Sequence, residues 1–204
     1  MKIAIVIVSI LLILFIVFQF YTTMATKKSE TQPYKVIRTE KEFEIRFYPS
    51  VTFAMITSPA KTYKELGNSG FRKLAGYIFG GNNENKQIPM TSPVHMNIRD
   101  TLSSMSFVMP ADYNMNNLPI PNNSEVSIRN APDEYVAAIS FGGFASGENI
   151  KKHITILESA LKDYQLSYYG DFRYLGYNPP YQLFGRRNEV IVAIDKNQIN
   201  NLNK

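Results

Sequence analysis

The chain has 204 residues, 45% of them hydrophobic, which is enough for one domain with one core behind an apolar leader. It carries no cysteine, which excludes disulfides, thiolate metal ligands, covalent c-type haem attachment and a lipobox lipid anchor. The formal net charge is +5 with no arginine-rich run, so the basic balance reads as a soluble surface and not as a nucleic-acid interface.

Residues 3–21 are almost unbroken hydrocarbon, interrupted only by Ser9 and Gln19. About 20 apolar residues suffice for a helix to cross a bilayer, whereas a cleavable signal has a shorter core of about 7–15. Run length therefore favours an uncleaved single-pass anchor over residues 1–26, with a polar linker over 27–33. Lys2 stands on one side of the run and Lys27 and Lys28 on the other. The positive-inside rule does not separate them; a short basic start before an apolar run favours a globular domain outside the cytoplasm.

The globular part is expected over 34–196, with a polar tail over 197–204. Glu42 to Phe47 alternates apolar and polar and predicts a half-buried strand. Val51 to Thr57 is β-branched and apolar on both faces, a more central strand, and the two read as a hairpin. Tyr63, Leu66, Phe71, Leu74, Tyr77 and Ile78 follow helical spacing, although Gly67, Gly70 and Gly76 weaken that helix and Gly80-Gly81 stops it. Met90 to Ile98 and Ser106 to Met109 are further strands, followed by a polar loop from Ala111 to Ser124. The second half repeats the order: strands at Glu125–Asn130 and Tyr135–Phe141, a helix marked by Ile150, Ile154, Leu157, Leu161 and Tyr164, and closing strands at Tyr168–Tyr177 and Glu189–Asp195.

The repetition is in register. Ile45, Arg46, Pro49, Ala54, Ile56 and Thr57 recur 83 positions later as Ile128, Arg129, Pro132, Ala137, Ile139 and Ser140. The same shift carries the stripe of Tyr63–Phe79 onto Gly147–Lys162 and Phe107–Pro110 onto Val190–Ala193. The reading is an α+β domain of two β-β-α-β-β halves, mainly antiparallel, whose eight strands curl into a distorted barrel flanked by two helices.

Little in the chain speaks for catalysis. His95 falls on the polar face of its strand and His153 at the edge of a helix stripe, so both read as surface or edge histidines. No metal-ligand spacing, phosphate loop or nucleophile elbow is present. Tyr168, Tyr169, Phe172, Tyr174, Tyr177, Tyr181 and Phe184 crowd one stretch, able to wall a flat apolar slot or simply to fill a core. Arg186 and Arg187 could meet the propionates or phosphates of a ligand; the favoured reading is structural, a salt bridge between Glu189 and one of them or Arg46.

Several segments, taken together and in order, carry a resemblance: Glu44-Ile45-Arg46, the helix end Tyr77-Ile78-Phe79-Gly80-Gly81-Asn82, Met90-Thr91-Ser92-Pro93-Val94, Phe141-Gly142-Gly143, Tyr177-Asn178-Pro179-Pro180 and Gly185-Arg186-Arg187-Asn188-Glu189-Val190. From about Tyr34 to Asp195 the chain resembles the SOUL haem-binding protein family. The resemblance implies the distorted two-half barrel, a relation to GyrI-like effector-binding domains, and non-enzymatic binding of haem or another tetrapyrrole in a shallow apolar groove beside the first helix. The histidine that some family members carry after Glu-x-Arg is Phe47 here, and the methionine and basic residues that vertebrate members place along the first helix, and their lysine after Pro-Pro, are Asn68, Phe71, Ala75 and Gly76, and then Gln182. The groove candidates are therefore Phe71, Arg72, Leu74, Ala75, Met90, Tyr177, Arg186 and Arg187, with no metal ligand among them. Two other readings stand beside this one. A GyrI-like module for a small aromatic or cationic ligand predicts an aromatic cleft with a buried carboxylate. A protein- or lipid-interaction domain predicts a groove near the membrane.

Overall fold

The computed structural model describes residues 1–201. Helix α1 (Lys2–Lys28) is followed by β1 (Lys35–Thr39), β2 (Glu44–Tyr48), β3 (Val51–Ser58), α2 (Tyr63–Ile78), β4 (Val94–Asn97) and β5 (Ser103–Val108). Then come β6 (Ser127–Ala131), β7 (Glu134–Phe141), α3 (Gly147–Asp163), β8 (Tyr168–Gly176), β9 (Asn188–Ile194) and the short α4 (Lys196–Asn201). The tail expected over 197–204 thus begins as helix, and its last three residues lie outside the described ones. Helix α1 is long and apolar enough to cross a membrane.

Among the described residues, nine strands form one antiparallel sheet in the order β1-β2-β7-β9-β8-β4-β5-β3-β6. The sheet curls without closing, since β1 and β6 each have a strand neighbour on one side only. The ninth strand, β1, has no alternating apolar pattern and is mostly exposed. It forms because β2 offers a free edge, and its Lys35 and Arg38 are charges of the kind that discourage further pairing there.

The hairpin expected between β2 and β3 does not form. Strand β2 pairs with β7, and β3 pairs with β5 and β6. A two-residue hairpin needs positive φ at its first central residue, and Pro49 is held near −65° by its ring. The chain instead turns a corner at Pro49-Ser50, where the Ser50 hydroxyl donates to the Ala131 carbonyl at 2.7 Å. Pro132 stands at the equivalent corner between β6 and β7. The pairs Glu44↔Ala138 and Ser127↔Met55 are the same pair under the 83-residue shift. Outward from the β8–β4 seam, β8-β9-β7-β2 mirrors β4-β5-β3-β6.

The two faces of the sheet are packed differently. On one, Leu66, Leu74, Tyr77 and Ile78 of α2 and Leu157 and Leu161 of α3 meet Ile45, Ile56, Met105, Ala137, Val190 and Val192. Each of the leucine, isoleucine, valine and methionine side chains among them contributes about 1.5–3 kcal/mol on burial. Gly70 lets α2 sit close, because a Cβ there would come 3.0 Å from Ile56 Cδ1 and 3.3 Å from Met105 Sδ. The helix starts on Thr62, whose side chain accepts from the Glu65 N–H. It ends where Gly80, at φ +107°, turns the chain and the Gly81 N–H reaches the Gly76 carbonyl at 2.8 Å. The opposite face buries a smaller group: Tyr48, Val136, Ala138, Leu175, Tyr177 and Ile191, with Tyr34 packed against it.

The strand expected over Met90–Ile98 is confined to Val94–Asn97, because Pro93 has no N–H to give a ladder. Ahead of it, the segment expected to be a spacer lies against the domain. The Ser29 hydroxyl donates to the Met90 carbonyl at 3.1 Å. Gln32 N–H donates to Ser92, and Ser92 N–H donates to Glu30, both at 2.8 Å.

Candidate functional site

The sequence candidates separate into two places, on opposite sides of the sheet. Phe71, Arg72, Leu74 and Ala75 stand on α2. Leu74 is fully buried in the main core, so it supports the helix and cannot line a groove. Ala75 is also buried, and Met90 is half-buried against the same core. Phe71 is 38% exposed and lies edge-on to Phe107 at 5.2 Å between ring centroids. Asn68, Phe71, Arg72, Ala75 and Phe79 share one side of the helix by their 3, 4, 7 and 11 residue spacing. A Cβ placed on the neighbouring Gly76 would meet nothing within 4 Å. The outer side of α2 is therefore a shelf left open at Gly76 beside two exposed phenylalanines, Phe71 and Phe79. Arg72 at its edge is exposed and makes no ion pair among the described residues, whereas Lys73 is held by Glu125 at 2.6 Å.

Tyr177 and Arg187 lie on the face away from the helices, around Glu189. That carboxylate is 0% exposed. Its Oε2 accepts from Arg46 Nη1 at 2.9 Å and from the Tyr177 hydroxyl at 2.8 Å. Its Oε1 accepts from the Ser140 hydroxyl at 2.9 Å and from Arg187 Nη2 at 2.7 Å. Arg46, itself buried, is also bound through Nε by Glu44 at 2.7 Å. Two carboxylates thus balance two guanidinium groups. Tyr34 lies under the Arg46 guanidinium at 4.3 Å, packs on Tyr48 and accepts from Arg187 Nη2 at 2.8 Å. The favoured structural reading of the arginines is thus realised by Arg46 and Arg187 together.

Burial alone would raise the Glu189 pKa, but the hydrogen bonds and charges of Arg46 and Arg187 outweigh it and hold the carboxyl below its usual range. Burial, with the Glu189 charge adding to it, pushes the Tyr48 hydroxyl up to about 12. Arg186 takes a different part: its Nη1 donates to the carbonyls of Pro179 and Gln182, at 2.7 and 2.6 Å, and ties the 178–187 loop to itself.

The histidines are not both where the sequence places them. His153 is half-buried at the helix edge, stacked on Phe141 at 3.9 Å, as expected. His95 is buried, not on the surface. Its Nε2 lies 2.7 Å from Gln32 Oε1, and its ring is edge-on to Phe53. Burial, with a smaller push from the Arg173 charge, lowers its pKa to about 3. The side is polar by pattern yet closed, because the chain after α1 covers it. Sequence reasoning also passed over Tyr34, Tyr48 and Phe79. The parity of Glu44, Arg46 and Tyr48 along β2 was the available signal for the cluster, but its closure depends on strands far apart in sequence.

The crowded aromatics likewise divide. Tyr174 enters the main core and Tyr177 the opposite cluster, while Tyr168, Tyr169, Tyr181 and Phe184 are exposed.

This curled sheet with two helices on one face recurs in solved structures. The C-terminal domain of EcmrR superposes with TM-score 0.59 at 7% identity, covering 80% of this chain and 98% of that one. A hydrolase from Listeria innocua superposes with TM-score 0.54 at 8% identity, covering 78% and 94%. At such identities the likeness shows the fold alone. In sequence, residues 29–193 match the model of the SOUL heme-binding protein family, and the chain belongs to that family. Heme-binding protein 1 of Xenopus laevis is 31% identical over 156 residues, 72% of this chain and 81% of that protein. Heme-binding protein 2 of Mus musculus is 28% identical over 164 residues, 76% and 79% respectively. The family is one of binding proteins, and the family match begins at Ser29, inside the stretch expected to be linker.

Proposed function

We propose that this chain is a membrane-anchored SOUL-family protein that binds haem or another planar tetrapyrrole on the outer side of α2, without catalysing a reaction. One observation carries the choice of site: the open surface at Gly76, beside the exposed Phe71 and Phe79, has an exposed arginine without an ion pair among the described residues, Arg72, at its edge. A macrocycle needs a flat apolar contact and positive charge for its propionates. Phe71, Phe79 and Gly76 supply the first and Arg72 the second. Arg186 and Arg187 are withdrawn from that part, being held by backbone carbonyls and by Glu189. Neither histidine is near the shelf's residues in the packing, since His95 binds Gln32 and His153 stacks on Phe141. The fit is to a haem held by its face and its propionates.

The rival reading, a cleft for an organic cation, called for a buried aromatic-lined carboxylate. Glu189 among Tyr34, Tyr48 and Tyr177 matches that description, but two arginines already neutralise it. The α2 shelf is therefore preferred. Residues 1–26 are read as the anchor, with the domain outside the cytoplasm, and the matching halves of the sheet as an internal duplication.

The test is a haemin titration of the full chain in lipid nanodiscs, following the Soret band against empty nanodiscs. A saturable shift at micromolar haemin is expected, weakened by about tenfold in Arg72→Ala through loss of a charge-assisted contact of about 1.4 kcal/mol. No saturable shift, or unchanged affinity in both Arg72→Ala and Phe71→Ala, overturns the proposal.

A further inference from the structure

The 178–187 loop is unusual for an exposed segment. Much of its backbone is held by its own side chains, and its large apolar side chains are exposed. Arg186 takes the carbonyls of Pro179 and Gln182, and the Gln182 amide donates to the Phe184 carbonyl at 2.8 Å. Two more of its backbone groups are taken by Gln19 of α1: Nε2 donates to the Tyr181 carbonyl at 3.1 Å, and Oε1 accepts from the Leu183 N–H at 2.9 Å. Gln19 is only 6% exposed, while the apolar residues around it on the helix are bare. Thr26, two turns on, lies 2.9 Å from Gln182 Oε1. Outside this frame Tyr181 is 55% and Phe184 68% exposed, with Leu183 between them, and the Tyr181 ring meets Phe18 at 5.9 Å. Phe144, also exposed, adjoins through the Arg186 guanidinium, 4.6 Å over its ring.

The position of Gln19 along α1 sets the depth. The sixteen residues from Ile3 to Phe18 rise about 24 Å at about 1.5 Å each. A bilayer's hydrocarbon core is about 30 Å thick. A helix that spans it from Ile3 keeps Gln19 at or inside the hydrocarbon boundary, and the loop bonded to Gln19 lies at the same level. Irregular backbone is tolerated there where its polar groups find partners in the protein, as the carbonyls of Pro179, Tyr181, Gln182 and Phe184 and the N–H groups of Gln182, Leu183 and Arg187 do in this loop. Tyrosine and phenylalanine at such a boundary bury apolar surface in lipid, with the tyrosine hydroxyl near the headgroups.

We propose that Tyr181, Leu183, Phe184 and Phe144 form a membrane-embedded patch that seats the globular domain on the bilayer surface beside its own anchor. This rests on the reading of α1 as a membrane span. The partner is the lipid bilayer itself, because the patch continues the apolar surface of α1 through the Phe18–Tyr181 contact. The seat fixes the domain's orientation, so the α2 shelf is presented at a set attitude to the membrane.

The chain has no tryptophan, so a single introduced one reports alone. Three full-length variants, Phe184→Trp, Ile10→Trp and Tyr169→Trp, are placed in phosphatidylcholine vesicles with bromine at defined chain depths. Position 169 is exposed and stands at the far end of β8, about 27 Å of strand from Tyr177. The expected result is blue-shifted emission of Phe184→Trp, quenched by bromines near the headgroup end, with Ile10→Trp quenched by deeper bromines and Tyr169→Trp unquenched. Quenching at Ile10→Trp with none at Phe184→Trp overturns the patch and leaves the anchor standing. Equal quenching at positions 184 and 169 overturns it too, as unspecific adsorption. No quenching at Ile10→Trp refutes the anchor and the patch with it.

Discussion

Replacing Glu189 by glutamine preserves its volume and removes its charge, and the consequence follows from the cluster around it. The carboxylate is closed to solvent and receives donors from Arg46, Tyr177, Ser140 and Arg187. With glutamine, Glu44 alone faces two guanidinium groups, and an amide NH₂ must point at other donors. Loss of one partner from a buried pair costs about 3–5 kcal/mol, chiefly through the charge left uncompensated. That is a large part of the roughly 5–15 kcal/mol that holds a domain folded. At about 2–4 °C per kcal/mol for a chain of this size, the Tm of the globular domain should fall by about 6–20 °C at pH 7, measured by circular dichroism of the full chain in nanodiscs. The two arginines should differ. The Arg46 side chain is 3% exposed and the Arg187 side chain 40%, so Arg46→Met should cost more than Arg187→Met. The double variant Glu189→Leu with Arg46→Met should recover part of the loss, because no buried charge is left alone. A Tm change under about 2 °C in Glu189→Gln would refute the account of the cluster as a neutral, mutually dependent unit.

Acid should expose His95. Its folded pKa is lowered to about 3 by burial and by Arg173, while the unfolded value is about 6.5. Below pH 6.5 the unfolded chain binds the extra proton and the folded chain does not, so stability falls by about 1.4 kcal/mol per pH unit towards pH 3. Urea melts between pH 4.5 and 6.5 check this, above the range in which Glu189, also held low, protonates; a slope unchanged in His95→Gln would count against it. Gly76→Leu fills open space on α2, so it should raise stability by about 0.5–1 kcal/mol through helix propensity while weakening haemin binding by about tenfold. Tighter or equal haemin binding would move the site elsewhere. Gln19→Leu leaves the Leu183 N–H and the Tyr181 carbonyl without their partner, and exchange of the Leu183 amide should accelerate about tenfold, for about 1–1.5 kcal/mol lost. Unchanged exchange would mean that Gln19 does not hold the loop.

Local order was readable wherever a segment's own periodicity decides its partners' side. Both amphipathic helices lie where the stripes of Leu66, Leu74 and Tyr77 and of Ile150, Leu157 and Leu161 put them. Eight strands were foreseen, and Gly80-Gly81 ends α2 as read. The wrong pairing of β2 with β3 came from proximity in sequence, against the turn chemistry of Pro49. Strand β1 escaped because it has no pattern of its own and exists only on the edge that β2 presents. Among the groove candidates, the family resemblance pointed to Phe71 and Arg72, both exposed on α2. Leu74 was misjudged because helical spacing identifies a side of the helix only once its packing partner is known. His95 sits on a polar-patterned strand face, and nothing local reveals that Gln32 and Tyr34 cross over that face.

By itself the sequence determined the apolar helix, the α+β make-up, the family, and an arginine–glutamate pairing around position 189. These follow from periodicity, register and residue chemistry, which act over a few residues or repeat visibly along the chain. Tertiary structure alone decided that β2 joins β7, that the face around Glu189 is sealed by the chain after α1, that Arg186 and Arg187 are spent within the protein, and that Gln19 meets the 178–187 loop. The first, second and last of these depend on contacts between segments scores of residues apart, which the curling of the sheet and the path of the chain after α1 bring together; Arg186 and Arg187 are spent nearer by, on groups two to seven residues away.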